Sequence, residues 1–398
     1  MMFLPGLPDL ASDPRFAIPY LVIGAGHGGK AMAAFLALRG FPTALYNRTP
    51  ARIAQIRALG GIDLELEDGT RHFAQLRLVT SDIREALVQA RVIMVAVPSS
   101  AHSDLATLCA PFLQDGQIVV LHPGRTFGAI EFAHAVRTAG CVADIVIAEA
   151  QTFLFASRSN GPAEVRIYRT KNAIPLAALP ARRTREALAA VTPAFPQFVA
   201  APNVLHTSLD NMGAIFHPAL TVLNAGRIEN TQGDFQFYVE GLTPAVARVL
   251  EALDRERVTV AASLGIRAQS AREWLDMAYN ATGADLYEAM HNNTGYQGIK
   301  APPTLAHRYI FEDVPMSLVP IASAGQQFGV STAAIDTIVR LASLIHGTDY
   351  RSRGRTMAKL GLANLTVEEI RQLVEEGDES GAQRLSAPVA AATAFRLP

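Results

Sequence analysis

The sequence predicts an α/β fold followed by an all-α fold: an N-terminal Rossmann-type doubly wound sheet with a C-terminal helical domain. A buried strand, a glycine-rich turn and a helix open the chain. Apolar strands and helices then alternate, and beyond this alternation the signals are helical almost throughout. We therefore expect a nucleotide-binding domain at residues 1–202, including an extension at 1–17, and a helical substrate domain at 203–398.

The glycine-rich turn follows the first apolar run. Tyr20–Ile23 predicts a buried strand, and Gly24, Gly26 and Gly29 follow it with the spacing G-x-G-x-x-G before a predicted helix. The first glycine permits a tight turn, the second lets a pyrophosphate approach the backbone, and the third lets helix and strand pack closely. We expect a dinucleotide to be bound by Gly24, Gly26, His27, Gly28 and Gly29, with His27 packed over the pyrophosphate.

The end of the second strand, residues 43–46, indicates which dinucleotide is bound. An Asp or Glu there would bind the ribose 2′-hydroxyl of NAD, but this chain has Asn47, Arg48 and Thr49. The Arg48 guanidinium can pair with a 2′-phosphate, and Thr49 can add a hydroxyl. The sequence therefore favours NADP, with NAD as the alternative; a solvated Arg48 at the start of the next helix is the plain interpretation.

The next elements are a helix at residues 52–59, a short strand pair at 62–67 and 76–79, and a helix at 83–87. A continuous apolar strand then ends in a loop that contains Pro98 and Ser99. Because ligands bind beyond the carboxyl ends of such strands, we expect this loop to border the cofactor, although a loop serine serves equally well as a helix cap.

Two later strands, at residues 117–121 and 143–148, also end in polar loops. Arg125 lies among glycines in the first loop, which indicates a floor for nicotinamide or substrate. Glu149 ends the second strand and could contact the ammonium of an amino substrate, but a carboxylate at such a position is more often a helix cap. A strand at 165–170 and a helix at 184–191 complete this half.

The second half opens with a predicted helix at residues 204–225, in which Pro218 follows His217. Proline removes a backbone hydrogen bond, so we expect a kink or an interruption of the helix near His217 that exposes the imidazole. Thr243 is a predicted N-cap, Ser331 is another, and Gly347 is expected to end the helix that Ser331 opens. Capping boxes are predicted at Ser270 with Glu273 and at Thr366 with Glu369.

Arg308 and Asp313 stand five residues apart in the segment 307–315, and an irregular backbone could direct both into one cleft. Each has a plain alternative. Arg308 could be a surface cation, Asp313 could cap the following helix, and His217 could be a partly exposed histidine without a role.

Several segments together resemble the octopine/nopaline (opine) dehydrogenase family, over residues 20–362. They are the G-x-G-x-x-G strand, Asn-x5-His-Pro at 211–218, Arg-Tyr-x-x-Glu-Asp-Val-Pro at 308–315, and Gly-x-Asp-Tyr at 347–350 followed by Gly-Arg-Thr at 354–356. The resemblance implies that His217 and Asp313 handle the proton and that Arg308 binds the substrate carboxylate. Asn211 and Arg125 could contact substrate or order His217.

The reaction implied by this resemblance is a reductive condensation. The amino group of an amino acid adds to the carbonyl of an α-keto acid such as pyruvate, water leaves, and the nicotinamide delivers hydride to the imine carbon. We expect Asp313 to fix the tautomer of His217 and to raise its pKa, so that the other ring nitrogen protonates the carbonyl oxygen.

Two other functions stay open. A reduction of the ketopantoate-reductase or hydroxyacid-dehydrogenase type usually needs a lysine on the first helix of the second domain, and the segment 204–225 contains none. An NADPH-sensing protein without catalysis would give His217, Asp313 and Arg308 no reason to converge.

Composition excludes several classes of partner. The formal charge is −1 and no dense Lys/Arg block occurs, so no nucleic acid is expected. No apolar run is long enough to span a bilayer, and residues 1–13 do not resemble a signal peptide. The two cysteines indicate buried thiols in a reducing cytoplasm, and the histidines show no metal-ligand spacing. The expected partners are an amino acid and a keto acid, with a homodimer left open.

Overall fold

The computed structural model of the protein describes residues 15–377. Its strands are β1 (Ile18–Ile23), β2 (Thr43–Tyr46), β3 (Gly61–Glu65), β4 (Arg71–Gln75), β5 (Leu78–Thr80), β6 (Ala90–Val95), β7 (Ile118–Leu121), β8 (Val146–Ala150), β9 (Phe155–Gly161), β10 (Glu164–Thr170), β11 (Ile174–Leu179) and β12 (Phe198–Ala200). Its α-helices are α1 (His27–Leu38), α2 (Pro50–Leu59), α3 (Ile83–Leu87), α4 (His102–Cys109), α5 (Gly128–Thr138), α6 (Thr184–Val191), α7 (Val204–Leu209), α8 (Gly213–Leu223), α9 (Ala225–Thr231), α10 (Pro244–Ser263), α11 (Ala271–Tyr279), α12 (Leu286–His291), α13 (Arg308–Phe311), α14 (Val319–Gln327), α15 (Ala333–His346), α16 (Tyr350–Arg353) and α17 (Val367–Glu375).

Eight strands form the main sheet in the order β12-β11-β8-β7-β6-β1-β2-β5. The chain runs from β1 to β2 on one side and returns to β6 on the other, so the strand order reverses between β1 and β6. All neighbours in this sheet are parallel except β11, which runs antiparallel to β8. This reversal creates the crevice where a doubly wound sheet binds its ligand, and it confirms the predicted fold class.

A second sheet of four strands, in the order β4-β3-β10-β9, packs against α1 on one face of the main sheet. Lys30 of α1 is buried and its Nζ donates to the carbonyl oxygens of Gly161 and Pro162, at 2.7 and 3.1 Å. The predicted pairing of residues 62–67 with 76–79 is wrong, because β3 pairs with β4 and the later segment joins the main sheet as β5.

The first long helix predicted for the second half is divided into α7, α8 and α9, and the interruption expected near His217 lies earlier in the chain. Pro218 lies inside α8, whereas the chain breaks at residues 210–212. Groups from elsewhere bind the backbone at this break: Gln151 Nε2 donates to the Asp210 carbonyl at 2.9 Å, and the buried Arg257 donates to the Leu209 carbonyl. Tertiary hydrogen bonds therefore determine where this helix is interrupted.

The helix caps match the predictions at most positions. Both capping boxes are formed, Thr243 caps α10, and Gly347 ends α15 in the left-handed conformation. Ser331 is not the cap of α15. The helix begins after Thr332, and the carboxylate of Glu256 accepts from the backbone N–H groups of Ala334 and Ile335 at 2.8 and 2.9 Å.

The two halves share one apolar core on the face of the main sheet opposite the second sheet. The last strand ends at Ala200, and helices begin at Val204. Over residues 15–377, none of the helices is both long and apolar enough to cross a bilayer. That same part of the chain contains no cluster of acidic, histidine or cysteine side chains arranged to bind a metal ion.

Candidate active site

His217 and Asp313 meet at the junction of the two halves. Nδ1 of His217 lies 2.8 Å from Oδ2 of Asp313, so Nε2 is the ring nitrogen that Asp313 does not contact. Asp313 is fully buried, whereas 20 % of the His217 side chain is exposed. A carboxylate that binds one nitrogen fixes the ring and its tautomer, so the imidazole can exchange a proton through Nε2.

Asp313 lies directly before an irregular stretch of helix. Asp313 precedes a π-helical turn, Val314–Leu318, and its side chain makes no capping hydrogen bond to that turn. The cap interpretation therefore does not describe this residue. π-helical turns occur often at functional sites, and this one lies between α13 and α14.

Arg125 comes from the nucleotide half and contacts the carboxylate of the His217–Asp313 pair. Its Nη1 lies 3.2 Å from Oδ1 of Asp313, and its Nε lies 3.6 Å from Oε1 of Glu312. The φ angle of Arg125 is 61°, a left-handed conformation that non-glycine residues seldom adopt. The loop after β7 thus holds Arg125 in an unusual conformation against two carboxylates of the helical half.

The environment of His217 lowers its pKa below the usual 6.5. Burial is the largest cause, Asp313 opposes it by raising the pKa, and Arg125 and Arg308 lower it further. Asp313 raises the pKa of His217 as expected, but burial outweighs that one carboxylate, so the net shift is downward. Tyr309 stacks on the imidazole with ring centroids 4.0 Å apart, which contributes to this burial.

Arg308 lies across Glu312, which it contacts through Nε at 2.9 Å and Nη2 at 3.2 Å. Glu312 is 1 % exposed, while 48 % of the Arg308 side chain is exposed. Burial would raise the pKa of Glu312, but Arg125 and Arg308 lower it to about 2. Glu312 is therefore a fixed anion that orients Arg308 and leaves part of its guanidinium open.

Two predicted ligand-binding residues are engaged elsewhere. The hydroxyl and the backbone N–H of Ser99 both donate to Oε1 of Glu312, at 3.1 and 3.2 Å, so Ser99 joins the two halves and its hydroxyl is not available to donate to a cofactor. Glu149 is 1 % exposed. Its Oε2 accepts from the N–H of Ala129 at 2.8 Å, and hydroxyls of α7 occupy its Oε1, so Glu149 caps α5 and cannot meet an ammonium group.

Asn211 lies in the break before α8 and is buried. Its Nδ2 donates to Oγ of Ser317 in the π-helical turn at 3.0 Å. A Cβ added to Gly213 would lie 2.7 Å from Arg125 Nη1, 3.2 Å from Asn211 Oδ1 and 3.3 Å from His217 Cε1. The first residue of α8 thus lies between three of the predicted site residues.

The glycine loop has the shape that a pyrophosphate requires. Gly24 has φ +114°, and a Cβ on Gly29 would lie 1.8 Å from the Gly24 carbonyl oxygen, so helix and strand are in close contact. A Cβ on Gly26 would meet nothing within 4 Å, which leaves open space before α1. His27 is exposed at the start of α1, and its Nδ1 accepts from the N–H of Ser159 at 2.9 Å. The residues present fit a dinucleotide.

The residues beyond β2 leave polar groups accessible. Asn47 Oδ1 accepts from the N–H of Ala25 at 3.3 Å, which links this loop to the glycine loop. Arg48 and Thr49 are exposed, and Thr49 precedes α2 without a side-chain capping bond. Pro98, across the crevice at the end of β6, is also exposed. No carboxylate follows β2, so a phosphate is compatible with this position.

Sequence reasoning missed Glu312 and Tyr309 as parts of the site. Both belong to the segment 308–315, but a carboxylate that orients an arginine and a ring that covers a histidine have no signal of their own in one sequence. Helical spacing gives part of the signal for Glu312, since it stands four residues after Arg308.

Two family models match the chain. The model described as NAD/NADP octopine/nopaline dehydrogenase, alpha-helical domain, matches residues 200–346. The model described as the N-terminus of NAD-dependent glycerol-3-phosphate dehydrogenase matches residues 20–124, which contain the glycine loop.

Individual relatives align over almost the whole chain. The opine dehydrogenase of Arthrobacter sp. (strain 1C) is 40 % identical over 356 residues, which cover 89 % of this chain and 98 % of the relative. A solved structure of octopine dehydrogenase with NADH and L-arginine superimposes with a TM-score of 0.75 at 20 % identity, covering 89 % of this chain and 97 % of that one. Yersinopine dehydrogenase with NADP+ bound superimposes with a TM-score of 0.69 at 14 % identity, covering 93 % and 98 %. At these low identities the two structures show a common fold.

Proposed function

The chain belongs to the octopine/nopaline (opine) dehydrogenase family, and we propose that His217, Asp313 and Arg308 carry out the reaction. This reaction condenses an amino acid with an α-keto acid in the cleft between the two halves of the chain. The protein is an NAD(P)-dependent oxidoreductase that acts on CH–NH donors. The single observation that supports this division of roles is the contact between His217 and Asp313, which Arg125 of the nucleotide half extends.

The proton is handled by His217. Nε2 of the imidazolium gives its proton to the carbonyl oxygen of the keto acid while the neutral amino group attacks the carbon, which forms a carbinolamine. His217 then takes a proton from the nitrogen and gives it to the hydroxyl, which leaves as water when the imine forms. Asp313 holds the ring through Nδ1 at 2.8 Å and stabilises its charged form. Arg125 contacts Asp313 at 3.2 Å and holds the carboxylate in place.

Arg308 binds the carboxylate of the keto acid. Glu312 occupies Nε and one edge of Nη2, so the rest of the guanidinium is free to form a two-point contact with a carboxylate. This contact would hold the carbonyl beneath the nicotinamide and close to His217.

The cofactor would be held by the glycine loop and by the residues after β2, and when bound it supplies the hydride. We propose that NADP is preferred, with NAD as the alternative, because the exposed Arg48 and Thr49 can contact a 2′-phosphate and no carboxylate follows β2. The two cysteines are buried and unpaired, which supports a cytoplasmic location.

The reaction is tested by following NADPH oxidation with pyruvate and a panel of amino acids, and by repeating the assay with NADH. Pyruvate alone is the control. Oxidation that requires both substrates supports condensation, whereas equal oxidation by pyruvate alone would indicate a simple keto-acid reductase.

The role of the dyad is tested with His217→Ala. We expect turnover to fall by about 10²-fold or more while NADPH binding, measured by fluorescence titration, is retained. His72→Ala is the matched control, because His72 is exposed on β4 and distant in sequence from the site segments. Normal turnover of the His217 variant would reject the assignment.

A further inference from the structure

Lys171 lies at the ligand-binding edge of the main sheet, in the segment between β10 and β11. Because β11 runs antiparallel to β8, with Leu176 opposite Ala150, the residues just before β11 lie beyond the carboxyl end of β8. The backbone N–H of Lys171 donates to the carbonyl of Leu154 at 3.1 Å, which fixes this segment against the loop after β8.

The ammonium group of Lys171 is largely buried and has an unusual set of partners. Its Nζ donates to the hydroxyl of Thr152 at 2.6 Å, and across residues 15–377 no carboxylate forms an ion pair with it. Burial, and to a smaller extent the charge of Arg125, lower the pKa of Lys171 to about 8. A buried cation without an anion is costly, so this arrangement favours the arrival of a negative group.

Lys171 differs in this respect from the arginines of the cleft. Arg125 contacts Asp313 and Glu312, and Arg308 contacts Glu312. The loop that carries Thr152 also reaches the helical half, since the neighbouring Gln151 donates to the Asp210 carbonyl in the break before α8. Lys171 is therefore a cation without a counter-ion, close to the place where the two halves join.

The proposed reaction requires a second cation. An N-(carboxyalkyl) amino acid carries two carboxylates, one from the keto acid and one from the amino acid, and Arg308 accounts for only the first. We propose that Lys171, together with the hydroxyl of Thr152, binds the carboxylate of the amino substrate. This inference rests on the proposed function and adds the binding site for the second substrate.

The experiment compares Lys171→Met with the parent enzyme in the condensation assay, using an amino acid that the panel identifies as a substrate. We expect the KM for the amino acid to rise at least tenfold, with little change in the KM values for pyruvate and NADPH. Lys300→Met is the matched control, because Lys300 is an exposed lysine paired with Asp234. Its three KM values are expected to be unchanged.

A second measurement separates carboxylate recognition from a structural effect. The parent enzyme should prefer the amino acid over the amine that lacks its carboxylate, and Lys171→Met should reduce this ratio of kcat/KM values at least tenfold. Lys171→Arg should restore part of the preference. Thr152→Val, which keeps the lysine, should raise the KM for the amino acid several-fold and serves as the test if Lys171→Met does not fold.

Each outcome decides one question. If the parent enzyme shows no condensation with any amino acid, the proposed function fails. If the parent condenses and the Lys171 or Thr152 variants keep its KM and its preference for the carboxylate, the role of Lys171 is rejected. A rise confined to the KM for NADPH would likewise overturn it, since it would assign Lys171 to the cofactor.

Discussion

At the scale of single residues, the site depends on charges that the sequence keeps far apart. Arg125, His217 and Asp313 come from three separate segments, yet they form a continuous series of contacts across the two halves. Asp313 is in contact with both a cation and an imidazole, so its charge influences the proton affinity of His217 directly. This arrangement makes the acid–base behaviour of the enzyme sensitive to one carboxylate.

The pH dependence of Asp313→Asn tests this sensitivity. In the proposed mechanism the protonated form of His217 acts in the reductive direction, so we expect kcat to fall as the pH rises through the pKa of His217, which lies below 6.5. The amide keeps the shape but removes the charge that raises this pKa. We expect the fall to move to lower pH and kcat to decrease by about 10²-fold, both measured from kcat between acidic and neutral pH.

The control for this experiment is Asp234→Asn, which removes an exposed carboxylate paired with Lys300. Its pH profile should match that of the parent enzyme. A profile of Asp313→Asn that moved to higher pH would contradict the assigned role, because it would mean that the carboxylate disfavours the imidazolium.

At the scale of secondary structure, two irregular segments produce the site. The break at residues 210–212 sets the start of α8 and hence the direction of His217, while the π-helical turn after Asp313 turns that carboxylate inward. Each irregular segment is held by a hydrogen bond to a residue in another part of the chain. The interruption of regular structure is therefore what brings the dyad together.

Gly213→Ala should disturb this arrangement. The added Cβ would lie 2.7 Å from Arg125 Nη1, so the guanidinium must move away and its contact with Asp313 is weakened. We expect kcat/KM to fall about tenfold, equivalent to about 1.4 kcal/mol in transition-state stabilisation, in steady-state assays.

Gly226→Ala is the matched control, since it is also a helical glycine and its Cβ would meet nothing within 4 Å. This variant should retain the kcat/KM of the parent enzyme. Equal activity of the two variants would show that crowding at the start of α8 does not matter.

The elements that could be predicted from sequence are those with strong local signals. The strand and glycine loop at residues 20–29, the capping boxes and the helical second half follow from hydrophobic period and cap chemistry. The second sheet was not predicted, because β4 exposes four of its five residues and β9 buries only Phe155, so neither strand carries a strong apolar signal. The break before α8 was misplaced because it depends on Gln151 and Arg257, which lie far from it in sequence.

The site was predictable to a similar extent. His217 and Asp313 were identified from their motifs, and the structure brings them into contact, although their catalytic roles remain predictions. For Glu149 the structure shows the helix-cap alternative and not the contact with an ammonium group. The position of a polar residue at a strand end, as for Ser99 and Glu149, does not reveal whether another group already binds it. Ser99 donates a hydrogen bond to Glu312 across the junction of the two halves, and no local sequence pattern indicates a partner so far away in the chain.

At the scale of the whole molecule, the two halves are joined by buried polar contacts as well as by apolar packing. Arg355 of the helical half is 1 % exposed. It donates to the carbonyl oxygens of Ser99, Gly124 and Thr126 at 3.0–3.1 Å, and it contacts Glu131 at 2.8 Å. One side chain thus binds three separate backbone positions around the loops that border the cleft.

Arg355→Met should therefore be strongly destabilising. Removing the guanidinium leaves Glu131 and three carbonyl groups without this partner, at a cost of about 3–5 kcal/mol. We expect the thermal unfolding midpoint to fall by several degrees, measured by scanning calorimetry or circular dichroism.

Arg353→Met is the comparison, because Arg353 lies two residues earlier and is exposed. Its midpoint should stay within about one degree of the parent, as is usual for surface substitutions. A similar midpoint for both variants would mean that the apolar core alone joins the two halves.

The bonds of Arg355 bear on how far members of this family can diverge. Three of its acceptors are main-chain carbonyls, so a change of side chain at Ser99 or Thr126 leaves the acceptor of Arg355 in place as long as the loops keep their course. Gly124 is the exception, because a Cβ there would lie 2.3 Å from Oε2 of Glu149. The pairing of Arg125 with Asp313 and Glu312 is different, because it joins side chains: the arginine comes from the nucleotide half and both carboxylates come from the helical half. A chimera that combines the nucleotide half of one homologue with the helical half of another would keep the main-chain acceptors of Arg355. It would keep the contacts of Arg125 only if both halves supplied matching side chains.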